Sequence, residues 1–305
     1  MEPAPFPVRR RVESVIGPTL MPYLLHLRPL EWPIMSAHFL LGTLLAAGWK
    51  LPWGLTFLGW FAYVVLLNGG TLAINSAFDQ DEGDIGYLRQ PPKPPRYLLP
   101  FSAALLALGV LLAAPFLLVP PAGSRFFWIL LACTVMSVLY SVPPIRLKAR
   151  AGWDLLINCL GFGLLTPLAG WALTGIPIPA FLWHLGWGFF FLFAALYPMT
   201  QIYQVEEDRS RGDQTLVIRL GEGRSLTLAL LAAIAAHVLF ARGLFLAQRS
   251  VLMVLISLGV WLVVVIPWRM RWSRMSAHQH EGGMYRGLAA WAVTDLSLLA
   301  LLWPR

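Results

Sequence analysis

Charge is scarce in this chain of 305 residues: Asp, Glu, Lys and Arg make up only 12% of it, whereas hydrophobic residues make up 58%. Soluble domains usually carry about 25% charged residues. The scarcity of charge therefore excludes an ordinary soluble domain, and no segment between the apolar runs is long enough to form one. The composition predicts an integral, multi-pass membrane protein.

Cysteine is almost absent as well. Only Cys133 and Cys159 occur, and both lie inside long apolar runs. Two cysteines in this position form neither a disulfide framework nor the spaced ligand set of a zinc site. We expect both of them to be packing residues.

The sequence also lacks the short alternating strands of a membrane barrel. We therefore expect spanning helices, because a helix in lipid satisfies the hydrogen bonds of its own backbone. A spanning helix needs about 17 to 25 predominantly apolar residues. Nine runs qualify: 33–49, 52–74, 97–119, 126–142, 153–173, 179–203, 225–247, 250–268 and 285–303. The sequence predicts an all-α, polytopic membrane protein with nine transmembrane helices in residues 33–305.

Residues 1–32 carry a basic cluster but no compact apolar core followed by a cleavage site. We therefore predict a cytoplasmic N-terminal arm that could hold an interfacial helix, in place of a signal peptide. With the amino terminus in the cytoplasm, most of the 23 Lys and Arg residues fall inside, and none of the 15 acids falls in an outer loop. The exceptions outside are Lys50, Arg125, Arg242, Arg249 and Arg305. This positive-inside asymmetry explains the net charge of +8 without a nucleic-acid partner.

Two acidic clusters each follow an apolar run, in "TLAINSAFDQDEGDIG" from Thr71 and in "TQIYQVEEDRSRGDQT" from Thr200. Their spacing matches, with an amide, an Asp four residues later and a second Asp five residues after that. The positions are Asn75, Asp79 and Asp84 in the first cluster, and Gln204, Asp208 and Asp213 in the second. Residues four apart share one face of a helix. The clusters therefore predict two related half-sites on the cytoplasmic face.

Oxygen donors without a His or Cys ligand set favour Mg²⁺, which usually keeps waters and substrate phosphates in its shell. A substrate with phosphate groups also needs cations. Lys93 follows the first cluster, and Arg146 and Lys148 lie in the loop "YSVPPIRLKAR" with no acid nearby until Asp154, so we expect these cations to be unpaired. The alternative, that such charges are solvated helix ends, is weakened because the acidic pattern occurs twice.

These motifs resemble the UbiA superfamily of intramembrane prenyltransferases. "NSAFDQDEGD" is similar to its first Asp motif, "QVEEDRSRGDQTLVIRLG" to its second, "YSVPPIRLK" to its Pro-rich loop, and "LRPLEWP" to the start of its first span. The resemblance covers nearly the whole chain. It implies nine helices around a central cavity that opens to the cytoplasm, and Mg²⁺ that bridges the Asp motifs to a prenyl diphosphate. It also implies a lipophilic or aromatic acceptor, with membrane lipids as surroundings.

We therefore expect Asp79, Asp84 and Asp208 to be catalytic metal ligands, assisted by Asn75, Gln204 and Asp213. Lys93, Arg146 and Lys148 are expected to hold the diphosphate. Tyr140 and Tyr203 are candidates to line the cavity, where their rings would stabilise a carbocation.

Three positions depart from the family pattern. Ser76 replaces an Asp, Asp84 comes one residue later than in the commonest spacing, and Gln204 replaces the first Asp of the second motif. Two alternatives therefore remain, a transporter with acidic sites at one face and a non-catalytic relative.

Outside the motifs, "AHQHEGG" from Ala277 is expected to be a solvated loop, and Asp295 is expected to pair with an Arg or to face the cavity.

Overall fold

The computed structural model describes residues 7–79, 85–86, 88, 90–118 and 123–299. Within these ranges the chain is helical, and its only bridges of β type are two isolated pairs. The helices are α1 Pro7–Ile16, α2 Met21–His26, α3 Trp32–Ala47, α4 Trp53–Asp79, α5 Leu98–Leu118, α6 Gly123–Ser141, α7 Trp153–Ala172, α8 Ala180–Ile202, α9 Val205–Ser210, α10 Leu216–Leu220, α11 Glu222–Leu246, α12 Leu252–Arg271 and α13 Ala277–Leu299. The all-helical prediction is confirmed for this part of the chain.

Seven helices in the described ranges are long and apolar enough to cross a membrane. They are α4, α5, α6, α7, α8, α11 and α12. The first predicted span corresponds to α3, a shorter apolar helix of 16 residues. The last predicted span overlaps α13, which begins at Ala277 and includes the polar segment expected to be a loop. The protein is thus a multi-pass membrane protein, and the number nine stays a prediction.

Two of the long helices contain a wider, π-type segment, Phe61–Asn68 in α4 and Cys159–Leu165 in α7. Such segments interrupt the regular hydrogen bonding of a helix and often occur at functional sites. Both segments contribute side chains to the same pocket, among them Asn68 and Phe162. The irregular turns therefore lie where the helices face the candidate site.

Helices α3 and α7 touch backbone to backbone. A side chain on Gly42 would collide with the carbonyl oxygen of Pro167, and one on Gly170 with the carbonyl oxygen of Phe39. Thr43 Oγ1 also donates a hydrogen bond to the Gly170 oxygen over 3.0 Å. Glycine is required at this crossing because any larger residue would push the two helices apart.

Helix α8 packs against α7, α11 and α13, and α13 also packs against α3. This arrangement places the segments after α6 and α8 side by side. The Gln214 amide donates a hydrogen bond to the Ala149 carbonyl over 3.2 Å, which joins the two segments directly. The segment that carries Arg146 and Lys148 therefore lies against the segment that carries the second acidic cluster.

Candidate active site

Described residues of both acidic clusters line one pocket of about 320 Å³. Its polar lining includes Asn75, Asp79, Lys148, Gln204, Asp208, Arg211 and Asp213. Its apolar lining includes Leu67, Met136, Ile157, Phe162, Phe193, Leu196, Leu288 and Trp291. The pocket can therefore accommodate a ligand with a charged group and a hydrocarbon part.

In the first cluster, Asn75 and Asp79 lie one turn apart at the end of α4, as their spacing predicts. Lys148 Nζ donates to Asn75 Oδ1 over 2.5 Å and also to Asp79 Oδ1. Arg146 Nη2 donates to the same Asp79 oxygen over 3.2 Å. Asp84, the third predicted ligand of this cluster, lies outside the described residues.

In the second cluster, Asp208 lies on α9, and Asp213 lies on the turn that follows. Arg211 Nη2 donates to Asp208 Oδ1 over 2.5 Å, and Arg211 Nε lies 3.5 Å from Asp213 Oδ2. Burial raises the pKa of Asp208 to about 6, although Arg211 opposes the rise and Asp213 adds to it. Gln204 immediately precedes α9 and lines the pocket. Arg211 thus contacts both acids of the second cluster, although it is not among the residues predicted to hold the diphosphate.

Arg146 connects the two clusters. Its Nη1 donates to Asp213 Oδ1 over 2.6 Å, while its Nη2 reaches Asp79. The structure thus brings described residues of both clusters together at one guanidinium group. The expectation that Arg146 and Lys148 are unpaired is wrong, because their acidic partners lie 67 and 69 residues away in sequence.

Asp154 is a second residue that the sequence prediction did not include. Its Oδ1 accepts hydrogen bonds from the amides of Gly152 and Leu155, both over 2.8 Å. Its Oδ2 accepts from Gln201 Nε2 over 2.8 Å and from the Leu216 amide over 3.0 Å. This buried carboxylate therefore joins the start of α7, the end of α8 and the start of α10, and so holds both site segments in register.

Of the remaining predicted residues that the structure describes, Tyr140 and Tyr203 line the pocket and Lys93 does not. Tyr140 lines the pocket and shares a hydrogen bond of 3.1 Å with Tyr197, a lining residue that was not predicted. Tyr203 also lines the pocket, and burial raises its pKa. Lys93 is exposed and does not line the pocket, so the structure does not bring it to the described residues of the clusters.

Comparison with known proteins gives a family match. The model of the UbiA prenyltransferase family matches residues 35–281. A lycopene elongase/hydratase of Haloarcula japonica is 28% identical over 229 residues, which cover 70% of this chain and 73% of the relative. The protein of the same name from Haloferax volcanii is 26% identical over 246 residues, which cover 76% and 75%.

The fold is also similar to that of a UbiA homolog from Archaeoglobus fulgidus bound to DMAPP and Mg²⁺. That comparison has a TM-score of 0.69 at 21% identity and covers 90% of this chain and 99% of the other. The same homolog bound to GPP and Mg²⁺ gives 0.69 at 22% identity, with the same coverage. The family match disfavours the transporter alternative. Because that match spans most of the sequence, the chain belongs to the UbiA prenyltransferase family and is a membrane enzyme that transfers prenyl groups.

Proposed function

We propose that the protein uses Mg²⁺ to transfer an isoprenyl group from its diphosphate to an apolar acceptor, in a cavity at the centre of nine helices that opens to the cytoplasm. The observation that carries this proposal is the joining of Asp79 and Asp213 by Arg146 in a pocket with apolar walls. Charged and hydrocarbon surfaces meet there, as a prenyl diphosphate requires. The concentration of Lys and Arg in the predicted inner segments supports the orientation.

The donor set fits Mg²⁺. Carboxylates and side-chain amides supply only hard oxygen atoms, and Asn75, Asp79, Gln204, Asp208 and Asp213 all line the pocket. Among the described residues, no three Asp, Glu, His or Cys side chains are grouped closely enough to hold a metal by themselves. Mg²⁺ commonly uses one or two carboxylates and completes its shell with waters and substrate phosphates. We therefore assign the remaining positions of the shell to amide, water and diphosphate oxygens.

We assign the binding of the diphosphate to Arg146, Lys148 and Arg211. All three contact carboxylates of the clusters, so a diphosphate would share their donors with Asp79, Asp208 and Asp213. A guanidinium can bind two oxygens at once, which suits a phosphate group. When bound, Mg²⁺ would stabilise the charge that develops on the leaving diphosphate.

Other residues of the pocket would bind the prenyl tail, exclude water and stabilise the carbocation. Apolar residues such as Leu196 and Leu288 would hold the prenyl tail and keep water away from the reacting carbon. Tyr140, Tyr197 and Tyr203 present aromatic rings beside the clusters, where a carbocation would be stabilised.

For the acceptor we propose an apolar polyene. The two relatives named lycopene elongase/hydratase support this choice. The pocket is consistent with it, because the rings of Phe162, Phe193 and Trp291 pack on one another and line the wall. A wall of aromatic rings favours a conjugated hydrocarbon over a strongly polar acceptor.

The test is diphosphate release by the purified protein in lipid, with a panel of allylic diphosphates and lycopene, in Mg²⁺ or in EDTA. We expect release that depends on Mg²⁺ and a prenylated polyene detected by mass spectrometry. Binding of a prenyl diphosphate without any release would identify a non-catalytic relative. Solute flux in proteoliposomes without release would instead support a transporter.

A further inference from the structure

The pocket extends to three residues that lie far from the acidic clusters. Tyr63, Cys133 and Thr166 all line the pocket, and each of them is buried. They belong to α4, α6 and α7, and each is the lining residue farthest along its helix from the charged end of the pocket. On α4, for example, Tyr63 lies about four turns from Asp79. Together the three residues form the pocket floor.

Hydrogen bonds join the side chains of the pocket floor. Tyr63 Oη shares one of 3.3 Å with Cys133 Sγ and another of 3.3 Å with Thr166 Oγ1. Thr166 Oγ1 also donates to the Gly161 carbonyl over 3.0 Å. Tyr63 lies in the π-type segment of α4, and Thr166 directly follows that of α7. The irregular turns of both helices are therefore tied together at this depth, and the polar atoms of the floor satisfy one another.

Buried aromatic rings close the far side of the floor. The ring centroid of Phe39 lies 5.4 Å from that of Tyr63, and the ring centroid of Phe126 lies 6.5 Å from it. Both phenylalanines are fully buried, and neither lines the pocket. Since protein interiors are close-packed, a ligand cannot continue past Tyr63 without displacing its ring.

One face of α4 connects the charged end of the pocket with the floor. From the first acidic cluster downwards, its lining residues are Asp79, Asn75, Leu72, Thr71, Asn68, Leu67 and Tyr63. Spacings of three and four residues place side chains on a single helix face. A chain whose diphosphate is held near Asp79 can therefore extend along this face until it meets Tyr63.

The floor is suited to the end of a hydrocarbon chain. Its polar atoms are paired with each other, so a ligand needs no polar atom of its own there. Leu67, Met136 and Phe162 supply apolar surface about one turn from the floor residues. Burial of apolar surface is favourable in proportion to its area, so each unit that fills this space adds to binding. A unit that exceeds the space overpacks the closed end, which is unfavourable.

We propose that Tyr63, supported by Cys133 and Thr166, limits the length of the prenyl chain that the enzyme accepts from its diphosphate donor. A tail that ends at the ring fits, whereas a tail with one further isoprene unit does not. This inference rests on the proposed function, because it places the diphosphate of the donor at the acidic clusters.

A tail that left the pocket sideways between two helices would behave differently. Such a tail would enter the lipid, and its length would have no limit. The donor tail and the apolar acceptor are both hydrocarbons, so the experiment has to change the donor alone.

The experiment measures the binding of prenyl thiodiphosphates in Mg²⁺, in a series that lengthens by one isoprene unit at a time from dimethylallyl to solanesyl. Diphosphate release from the matching diphosphates is measured in parallel. Tyr63→Ala removes the ring, whereas Tyr63→Phe keeps the ring and removes only the hydroxyl. Phe240→Ala is the matched control, since Phe240 is a fully buried ring outside the pocket lining. Leu67→Phe adds a ring to the path one turn above Tyr63.

For the wild type we expect a longest accepted chain. The next member should bind at least about 10-fold more weakly, the lower end of what a hydrophobic pocket achieves against one extra methylene. Tyr63→Ala should accept one isoprene unit more, because a cavity that fits a benzene ring stays dry in an apolar interior and binds apolar ligands. Tyr63→Phe and Phe240→Ala should keep the wild-type limit, and Leu67→Phe should lower it.

Equal binding of all members by the wild type would overturn the proposed limit and leave prenyl transfer intact. The same conclusion would follow if Phe240→Ala shifted the limit as far as Tyr63→Ala does, or if Leu67→Phe left it unchanged. If Tyr63→Ala fails to fold and binds no member, Leu67→Phe alone decides. Absence of both binding and diphosphate release for every member in the wild type would instead refute the proposed function, and this inference with it.

Discussion

Asp79 combines a structural role in ion pairs with a proposed chemical role as a metal ligand. Asp79 accepts hydrogen bonds from both Arg146 and Lys148, and Lys148 is only 8% exposed. The same carboxylate is a proposed metal ligand. A substitution at this position therefore changes both the stability of the protein and its chemistry, and the two effects need to be measured separately.

We expect Asp79→Ala to lose turnover by at least about 10²-fold, since it removes an electrostatic contribution to the reacting site. Breaking a buried ion pair also costs about 3–5 kcal/mol of stability, because Lys148 stays buried without this carboxylate. The double variant Asp79→Ala with Lys148→Met should recover part of that stability and remain inactive. Thermal unfolding in detergent and diphosphate release measure the two effects.

Glu13→Ala is the control for this experiment, because Glu13 lies on α1 and outside the pocket lining. Full turnover by Asp79→Ala would refute the assignment of Asp79 to the metal. A double variant that regains activity together with stability would show that Asp79 has a structural role only.

Burial raises the pKa of Glu31, a residue of the pocket lining, and this has a consequence for stability. The pKa of Glu31 is higher in the folded protein than its ordinary value of 4.5, so the folded state binds more protons between pH 4.5 and about 7. Stability is therefore favoured below that window and decreases as the pH rises through it.

At the residue scale, the sequence predicted the acids of the site better than their partners. Matched spacing placed Asn75 and Asp79 on one helix face, and local geometry is sufficient for that. The contacts of Arg146 with Asp213 and of Asp154 with Leu216 join residues 67 and 62 positions apart, which no local pattern reports. Asp295 similarly lies 3.8 Å from His38, and not beside an Arg as one expectation had it.

At the scale of helices, the length of an apolar run predicted a spanning helix reliably, whereas glycine was an ambiguous indicator of a helix end. "AHQHEGG" was predicted to be a solvated loop, but it forms the first two turns of α13. Gly283 lies against the ring of Trp268, and the buried His280 accepts a hydrogen bond from the same indole over 2.8 Å. Glycine that permits close packing and glycine that ends a helix look alike in a sequence, because both lack a side chain.

The crossing of α3 and α7 gives a prediction at this scale. Gly42→Ala should destabilise the protein by about 1–3 kcal/mol, because it overpacks a tight contact. Gly259 in α12 has open space around it, so Gly259→Ala should be neutral or slightly stabilising. The measurement is the thermal midpoint of each purified variant, and equal midpoints for the two would contradict the tight crossing.

At the scale of the whole molecule, composition alone predicted a helical membrane protein, and family membership followed from the motifs. Hydropathy placed all seven helices that the structure identifies as able to span, with ends that differ by up to five residues. It could not show that α3 and α13 are joined through packing, since contacts between distant helices depend on side-chain shape. The pocket itself depends on those contacts.

Ligand binding should be cooperative across the whole site. Because the acids of both clusters already have cationic partners, we expect Mg²⁺ alone to change the thermal midpoint little. Mg²⁺ with a prenyl thiodiphosphate should raise it, since a ligand at 100 times its Kd stabilises the folded state by about 2.7 kcal/mol. Thermal unfolding with each component and with both, compared with the Asp79→Ala and Lys148→Met double variant, tests this.

A large rise with Mg²⁺ alone would contradict this expectation, because it would mean that the carboxylates are not satisfied by Arg146, Lys148 and Arg211. A rise with the thiodiphosphate alone would assign most of the binding energy to the cations.

The bridge from Asp79 through Arg146 to Asp213 also bears on how the protein is made. A newly synthesised chain has to assemble its helices in the bilayer before it can act on any substrate, and unbalanced acids at a helix end would hinder that assembly. Here the chain carries the counter-ions for these acids in its own sequence, between α6 and α7. We therefore expect the helices to assemble without metal or isoprenoid, so that a cell short of either can still accumulate folded enzyme.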